Sequence, residues 1–333
     1  MDDKIISFCI PTYNRPDKLL FSISSIIAQA NNSQHEIVIS DNSDNDDTAE
    51  LVKQFQRNTT VRYYKNLTNI GSAANFARVI SLAKGKYVWL MSDDDRLHTG
   101  ALSRIINLLR NQSSLRYIFA TRLLCDRNLD PLSGLIQPSG LREDAVFATG
   151  RDLFSALNGQ MPALIGFISS TIIYKDLWDR SFSIVGTPLG NWSHARVILH
   201  AIRDAPCAIL SGVNVLACST PSVDSINSNI WIDQSVELMK TAEQWDYDSN
   251  LCWTLIEKSY ARYAKMFVLD KALGKRNGNL YSLARDLGCN GHVEMNWPWA
   301  LISMLPRQIL SPLPWLRTTR RRILDLLNTC IRR

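Results

Sequence analysis

The sequence predicts an α/β fold with a mostly parallel sheet and a helical C-terminal region, and three observations carry that prediction. From Lys4 to about Thr121, short apolar runs alternate with stretches of helical periodicity. Four of those runs lead into polar clusters, and open parallel sheets bind ligands at the carboxyl ends of their strands. From about residue 231 the pattern becomes mainly helical.

Taken in order, Ile5–Ile10 reads as a buried strand, and Pro16–Gln29 as a helix with Leu19, Leu20, Ile23, Ile26 and Ile27 at helical spacing. Glu36–Ser40 is a second strand and Thr48–Gln56 a second helix. Val61–Tyr64 is a third strand, Gly71–Ala83 a helix, Lys86–Met91 a fourth strand, Thr99–Leu109 a helix and Arg116–Thr121 a strand. Strands alternating with helices imply a parallel sheet covered on both faces. An apolar strand around Phe167–Tyr174 and a helix around His194–Ile202 follow. The expected parts are 1–121, 122–230 and 231–333.

Composition narrows the class. Of 333 residues, 46% are hydrophobic and 20% charged, which fits a packed globular chain and excludes global disorder. Seven scattered cysteines without a CxxC pair indicate neither a disulfide framework nor a zinc knuckle, and predict a reducing, cytoplasmic setting. The Met1-Asp2-Asp3-Lys4 start predicts no secretory leader, and the longest nearly apolar stretch, Met161–Tyr174, is shorter than the ~20 residues of a membrane span. The net charge of +6 lies in one place: residues 307–333 hold seven arginines and one acid, while residues 1–306 hold 30 basic and 30 acidic residues.

The strand ends carry the chemistry. They read Pro11-Thr12-Tyr13-Asn14-Arg15, then Ser40-Asp41-Asn42-Ser43-Asp44, then Asn69-Ile70-Gly71 with Asn75 and Arg78, then Ser92-Asp93-Asp94-Asp95. Three carboxylates in a row repel one another strongly in a low dielectric, and a divalent cation relieves this. Oxygen donors suit Mg²⁺ or Mn²⁺. A solvated turn capping the next helix is the plain alternative for the triplet. Asp41 is a candidate acceptor for the donor groups of a pyrimidine, or an Asx-turn. Arg15 and Arg78 are candidate phosphate contacts, or isolated surface arginines.

In order and spacing these motifs resemble family 2 glycosyltransferases of the GT-A fold, over about the first 120 residues. The resemblance implies that Pro11, Thr12, Tyr13, Arg15, Asp41, Asn42, Asn69, Asn75 and Arg78 line the nucleotide-sugar pocket with Asp93 and Asp94. It implies that Asp93 and Asp95 are a DxD pair, with Asp95 the metal ligand and Mg²⁺ or Mn²⁺ the cofactor. Length, N-terminal sequence and basic tail are similar to the abequosyltransferases of enterobacterial O-antigen assembly. Those use a CDP-3,6-dideoxyhexose and a mannose on a polyprenyl-diphosphate-linked oligosaccharide.

Two departures from the family pattern matter. Inverting members usually place an acidic general base at a helix start in the acceptor half, but the matching segment, Leu189-Gly190-Asn191-Trp192-Ser193-His194, has no carboxylate. His194 is a candidate base, since imidazole titrates near neutrality, or a helix-cap histidine. A third reading needs no protein base: with retention of configuration, the departing diphosphate takes the acceptor proton. Asn191 and Trp192 are candidate acceptor contacts, Trp192 by stacking or else as a core residue. The later histidine that many GT-A enzymes use for metal is also absent from Leu216–Asp224.

In the tail, Leu316, Ile323 and Leu327 form one helical stripe beside Arg317, Arg320, Arg321 and Arg322, with Trp315 adjacent. A basic amphipathic helix with Trp reads as a segment bound to an anionic membrane surface, placing the protein peripherally on the inner face of the inner membrane. A docked C-terminal helix is the alternative. The neutral body and the lack of a binding motif argue against nucleic acid. A nucleotidyltransferase would need a Gly-rich phosphate loop that Pro11–Arg15 lacks. A non-catalytic homologue is opposed by the intact Asp93-Asp94-Asp95.

Overall fold

The computed structural model describes residues 5–30, 34–55, 61–126, 130–136, 143–157, 165–186, 192–218, 228–272, 279–289 and 298–310. It divides into two compact units, Met1–Ser219 and Thr220–Arg333. The boundary falls earlier than residue 230, and residues on both sides of 122 share a single sheet.

The first unit contains β1 (Ile6–Thr12), α1 (Pro16–Ile27), β2 (His35–Asp41), α2 (Asp47–Lys53), β3 (Val61–Lys65), α3 (Ser72–Ser81), β4 (Tyr87–Leu90), β5 (Arg96–Leu97) and α4 (Ala101–Asn111). It continues with β6 (Tyr117–Cys125), β7 (Pro131–Ile136), β8 (Ala145–Phe147), α5 (Gly150–Ala156), a 3₁₀ turn (Ile168–Ser170), β9 (Thr171–Tyr174), α6 (Lys175–Val185), α7 (Ser193–Ile202) and β10 (Cys207–Cys218). The sheet order is β3-β2-β1-β4-β9-β6-β10-β5, with β7 beside β6 and β8 beside β10.

The predicted parallel sheet is found in β3-β2-β1-β4 and in the β6/β10 pair. Elsewhere the pairing is antiparallel, because β9 runs against both β4 and β6, and β5, β7 and β8 run against their partners. Strands β1, β2 and β4 are buried along their whole length, which is why they read as unbroken apolar runs rather than alternating ones. Their core includes Phe8, Ile10, Ile37, Ile39, Trp89 and Met91, closed by Leu19, Ile23 and Ile26 of α1. Pro16 starts α1, where its missing N–H has no helical partner to lose. Gly85, entering β4, has no room for a side chain: a Cβ there would lie 2.6 Å from the Ser7 backbone nitrogen.

Register places the ligand edge. Thr12 pairs with Asp41 and Asp41 with Lys65, so the carboxyl ends of β1, β2 and β3 are level. Cys9 pairs with Leu90, which brings the turn after β4 to the same edge.

The expected strand at 167–174 is shorter than its apolar run: Ile168–Ser170 turns as 3₁₀, with Ser169 and Ser170 facing polar partners, and only Thr171–Tyr174 pairs. The long strand β10 was not apparent, because its apolar ends are separated by Ser211–Asn214, where Gly212 takes φ 71° and the register shifts.

The second unit is helical where described: α8 (Ser228–Gln244), α9 (Ser249–Ala272), α10 (Leu280–Asp286), α11 (Pro298–Ser303) and α12 (Arg307–Leu310). Lys271 Nζ donates to the Ser303 carbonyl at 2.7 Å, tying α9 to α11. Trp315, Leu316, Arg317, Arg320, Arg321 and Arg322 lie outside the described residues. No helix among the described residues is long and apolar enough to cross a membrane.

Candidate active site

The carboxylate turn after β4 is fastened to the end of β1. Thr12 Oγ1 donates to Asp93 Oδ2 at 2.8 Å, and Arg15 Nη1 donates to Asp93 Oδ1 at 3.1 Å and to Asp94 Oδ2 at 3.2 Å. Lys18, in the first turn of α1, reaches Asp94 at 3.4 Å, and Ser92 Oγ donates to its other oxygen at 2.5 Å. Asp94 thus faces the cations, while Asp93 and Asp95 point inward, 4% and 2% exposed. Burial pushes the Asp93 carboxyl up to about 6, against the pull of Arg15. Burial, then the charge of Asp94, raises Asp95 well above the carboxylate range, against Ser169, the Cys218 N–H and Arg122.

Two carboxylates whose charge burial disfavours are a donor set that a hard cation completes. Among the described residues no three or more His, Cys, Asp or Glu side chains converge into a ready-made metal site. Mg²⁺ requires less, one or two carboxylates plus substrate phosphates, and Asp95 with Asp93 fits that need.

Around the turn the predicted residues divide into two groups. Asn42, Asn75 and the unpredicted Asn66 form a buried amide network. Asn66 Nδ2 donates to Asn42 Oδ1 at 2.7 Å and to Asn75 Oδ1 at 3.1 Å, and Asn75 Nδ2 donates to the Ser40 carbonyl at 3.0 Å. Asn69 Oδ1 accepts from the Gly71 N–H at 2.9 Å, and Gly71 has the positive φ, 84°, of the turn into α3. These residues shape the edge. Pro11 is buried, whereas Tyr13 and Arg15 are exposed at it; Arg78 is exposed in the last turn of α3. Tyr13 is positioned by its hydroxyl, which donates to Asp44 Oδ2 at 2.7 Å.

Two further candidates, Asp41 and His194, are buried. Asp41 is fully buried: its Oδ1 accepts from the Ser43 N–H at 2.8 Å and its Oδ2 from the Tyr63 hydroxyl at 2.7 Å. The Ser43 contact is the Asx-turn alternative, and it holds Asp41 at the end of β2. His194 lies at the start of α7. It is 3% exposed, packs edge-on against Phe76 with ring centroids 5.6 Å apart, and is held neutral by burial, its pKa lowered to about 4. Backbone contacts from Gly166 and Ile165 offset only part of that. The ring fills the space between α3 and α7. Trp192, at the start of α7, is 9% exposed and thus mostly core, and Asn191 lies outside the described residues.

The sequence reading missed Ser169, the Cys218 N–H and Arg122. Ser169 Oγ donates to Asp95 Oδ2, and the Cys218 N–H donates to Asp95 Oδ1 at 3.1 Å. Arg122 is buried, donates to Ser170 Oγ at 3.2 Å and lies 4.0 Å over the Phe167 ring. The available signal was the run Ser169-Ser170-Thr171, three hydroxyls inside an apolar stretch.

Residues 7–125, which include this edge, match the family model described as Glycosyl transferase family 2. Over residues 7–125 the chain is thus similar to a family 2 glycosyltransferase domain. Outside the domain the comparison extends further. The chain is 30% identical over 220 residues to the abequosyltransferase RfbV of Salmonella typhimurium, covering 62% of this chain and 63% of that protein. It is 27% identical over 157 residues to the GalNAc(5)-diNAcBac-PP-undecaprenol beta-1,3-glucosyltransferase of Campylobacter jejuni, covering 46% and 49%. The chain thus spans under two thirds of the length of either relative. The crystal structure of S. aureus TarS 1-349 superposes with a TM-score of 0.61 at 14% identity, covering 98% of this chain and 89% of that one. That likeness shows the fold, a GT-A fold.

Proposed function

We propose that this chain is a nucleotide-sugar-dependent glycosyltransferase. It moves abequose or a related 3,6-dideoxyhexose from a CDP-sugar to a mannose of a polyprenyl-diphosphate-linked O-antigen oligosaccharide. The observation that carries the reading is the Asp93–Asp95 turn fastened to Thr12 and Arg15 at the carboxyl edge of a family 2 domain. The donor sugar and acceptor rest on the similarity to the Salmonella abequosyltransferase.

In the reaction the C1–O bond to the diphosphate breaks and a bond from the acceptor oxygen to C1 forms. Negative charge develops on the departing diphosphate. Arg15 and Lys18 place positive charge at the rim where it collects, and Thr12 holds Asp93 in its buried rotamer. Asp95, with Asp93, would hold Mg²⁺ or Mn²⁺, which when bound supplies electrostatic stabilisation of the leaving group. Tyr13 offers a half-exposed ring beside the pocket for a nucleobase. In the retaining reading the departing diphosphate oxygen takes the acceptor proton, and no protein base is needed. A peripheral site on the inner face of the inner membrane brings the enzyme to a lipid-linked acceptor.

The test is a panel of CDP-, UDP-, GDP- and dTDP-sugars, read by transfer to a lipid-linked acceptor and by anomeric NMR of the product. Transfer from a CDP-dideoxyhexose with retention is expected. Transfer only from another nucleotide sugar, with inversion, would replace the donor assignment, and no transfer from any would overturn the enzyme assignment.

A further inference from the structure

Asp95 differs from its two neighbours in what holds it. Asp93 and Asp94 are held by Thr12, Arg15, Lys18 and Ser92, from the β1/α1 segment and the turn itself. Both oxygens of Asp95 are held from the later strands: Oδ2 by the Ser169 hydroxyl, Oδ1 by the Cys218 N–H at 3.1 Å.

Ser169 is fully buried in the 3₁₀ turn before β9. Its Oγ also accepts from the Ser92 N–H at 2.9 Å, and its carbonyl accepts from Trp89 Nε1 at 2.9 Å. A serine hydroxyl has one proton and two lone pairs. With the Ser92 N–H directed at a lone pair, the single proton is left for Asp95, and the hydroxyl rotor is fixed. One oxygen thus joins the first residue of the Ser92–Asp95 turn to its last.

We propose that Ser169 is a positioning residue, which aims the Asp95 carboxylate at the diphosphate of the nucleotide sugar. The inference rests on the glycosyltransferase reading and deepens it. Ser169 itself is buried behind Asp95 and acts through it. Partners of this kind typically change affinity or activity by about 10- to 100-fold when removed.

The experiment measures binding of CDP with MnCl₂ by titration calorimetry, in a double-mutant cycle of Ser169→Ala and Asp95→Asn. Ser169→Ala alone is expected to weaken binding by about 10-fold or more. In the Asp95→Asn background it should weaken it no further, because the group it positions is gone. Ser169→Thr, which keeps the hydroxyl, should restore most of the affinity. Near-ultraviolet circular dichroism, summed over the nine tryptophans, reports whether the tertiary fold is intact. Should Ser169→Ala lose that signature, Ser169→Cys replaces it; the thiol is a weak donor of similar size and must give the same loss.

Equal weakening in both backgrounds would reduce Ser169 to a general structural role, and unchanged binding would remove it altogether. If the wild-type protein binds UDP, GDP or dTDP in place of CDP, the same cycle is run with that nucleotide, and only the donor assignment changes. If it binds none of them, the glycosyltransferase reading falls and the role of Ser169 with it.

Discussion

Asp95→Ala should abolish transfer and Asp93→Ala should reduce it severely, with the fold kept, because each removes a buried carboxylate from the edge where the diphosphate would sit. Steady-state transfer beside a thermal melt checks both, and wild-type-like turnover in Asp95→Ala would remove the assignment. His194 makes a different prediction. Its pKa is about 4 when folded and about 6.5 unfolded, so between those values the unfolded chain binds a proton that the folded chain does not. Stability is therefore complete above about pH 6.5 and declines as the pH falls towards 4, by up to about 3 kcal/mol at roughly 1.4 kcal/mol per pKa unit. His194→Leu should flatten urea midpoints measured between pH 7 and 5. A catalytic base would also cost roughly 10²-fold or more in kcat on substitution, whereas the buried packing role predicts a much smaller loss. The sequence marks His194 as titratable near a helix start, but cannot show that Phe76 and α3 cover it. For the same reason the sequence cannot show that the Tyr63 hydroxyl and the Ser43 N–H hold Asp41. Chemistry-bearing residue types are visible in a sequence, but their exposure is set by neighbours far along the chain.

At the level of elements, the parallel part of the sheet was legible because each strand there is a continuous apolar run closed by a polar turn and followed by an amphipathic helix. What was not legible had mixed pattern: β5 is two residues long, and β10 is divided at Gly212. The edge these strands form depends on Asn75. Its amide links the Ser40 carbonyl, at the end of β2, to Asn66, beyond the end of β3. Asn75→Ala leaves buried polar partners unsatisfied, and should destabilise the protein by about 1–3 kcal/mol. Denaturant unfolding would measure that, and an unchanged midpoint would mean that solvent replaces the amide. Nucleotide affinity should fall together with stability, since Asn75 is also 3.5 Å from the Thr12 carbonyl.

For the whole molecule, the strongest charge asymmetry lies in residues 307–333. Just before it in the chain, Leu301 and Met304 are each 57% exposed. Reversing Arg317, Arg320, Arg321 and Arg322 to glutamate should release the protein from vesicles containing anionic lipid, at about 1 kcal/mol per basic residue. High salt should weaken wild-type binding and leave the apolar component. Activity on a short water-soluble acceptor should persist while activity on the lipid-linked one falls. Binding untouched by both charge reversal and truncation after Pro314 would exclude the tail as anchor.

β9 lies between β4 and β6 although it follows both in the chain. During synthesis, at about 5–20 residues per second, β4 and β6 are complete for some seconds before residues 171–174 emerge to join them. Until then each has an unpaired edge open to wrong partners, and the two halves of the sheet have no strand in common. The matched family segment, 7–125, ends inside this interval: it contains both waiting edges and not the strand that closes them. A gene fragment cut at that boundary would encode a recognisable motif set without a protein able to stand alone. A usable boundary for splitting or fusing the chain comes only after β10, where the first compact unit ends at Ser219.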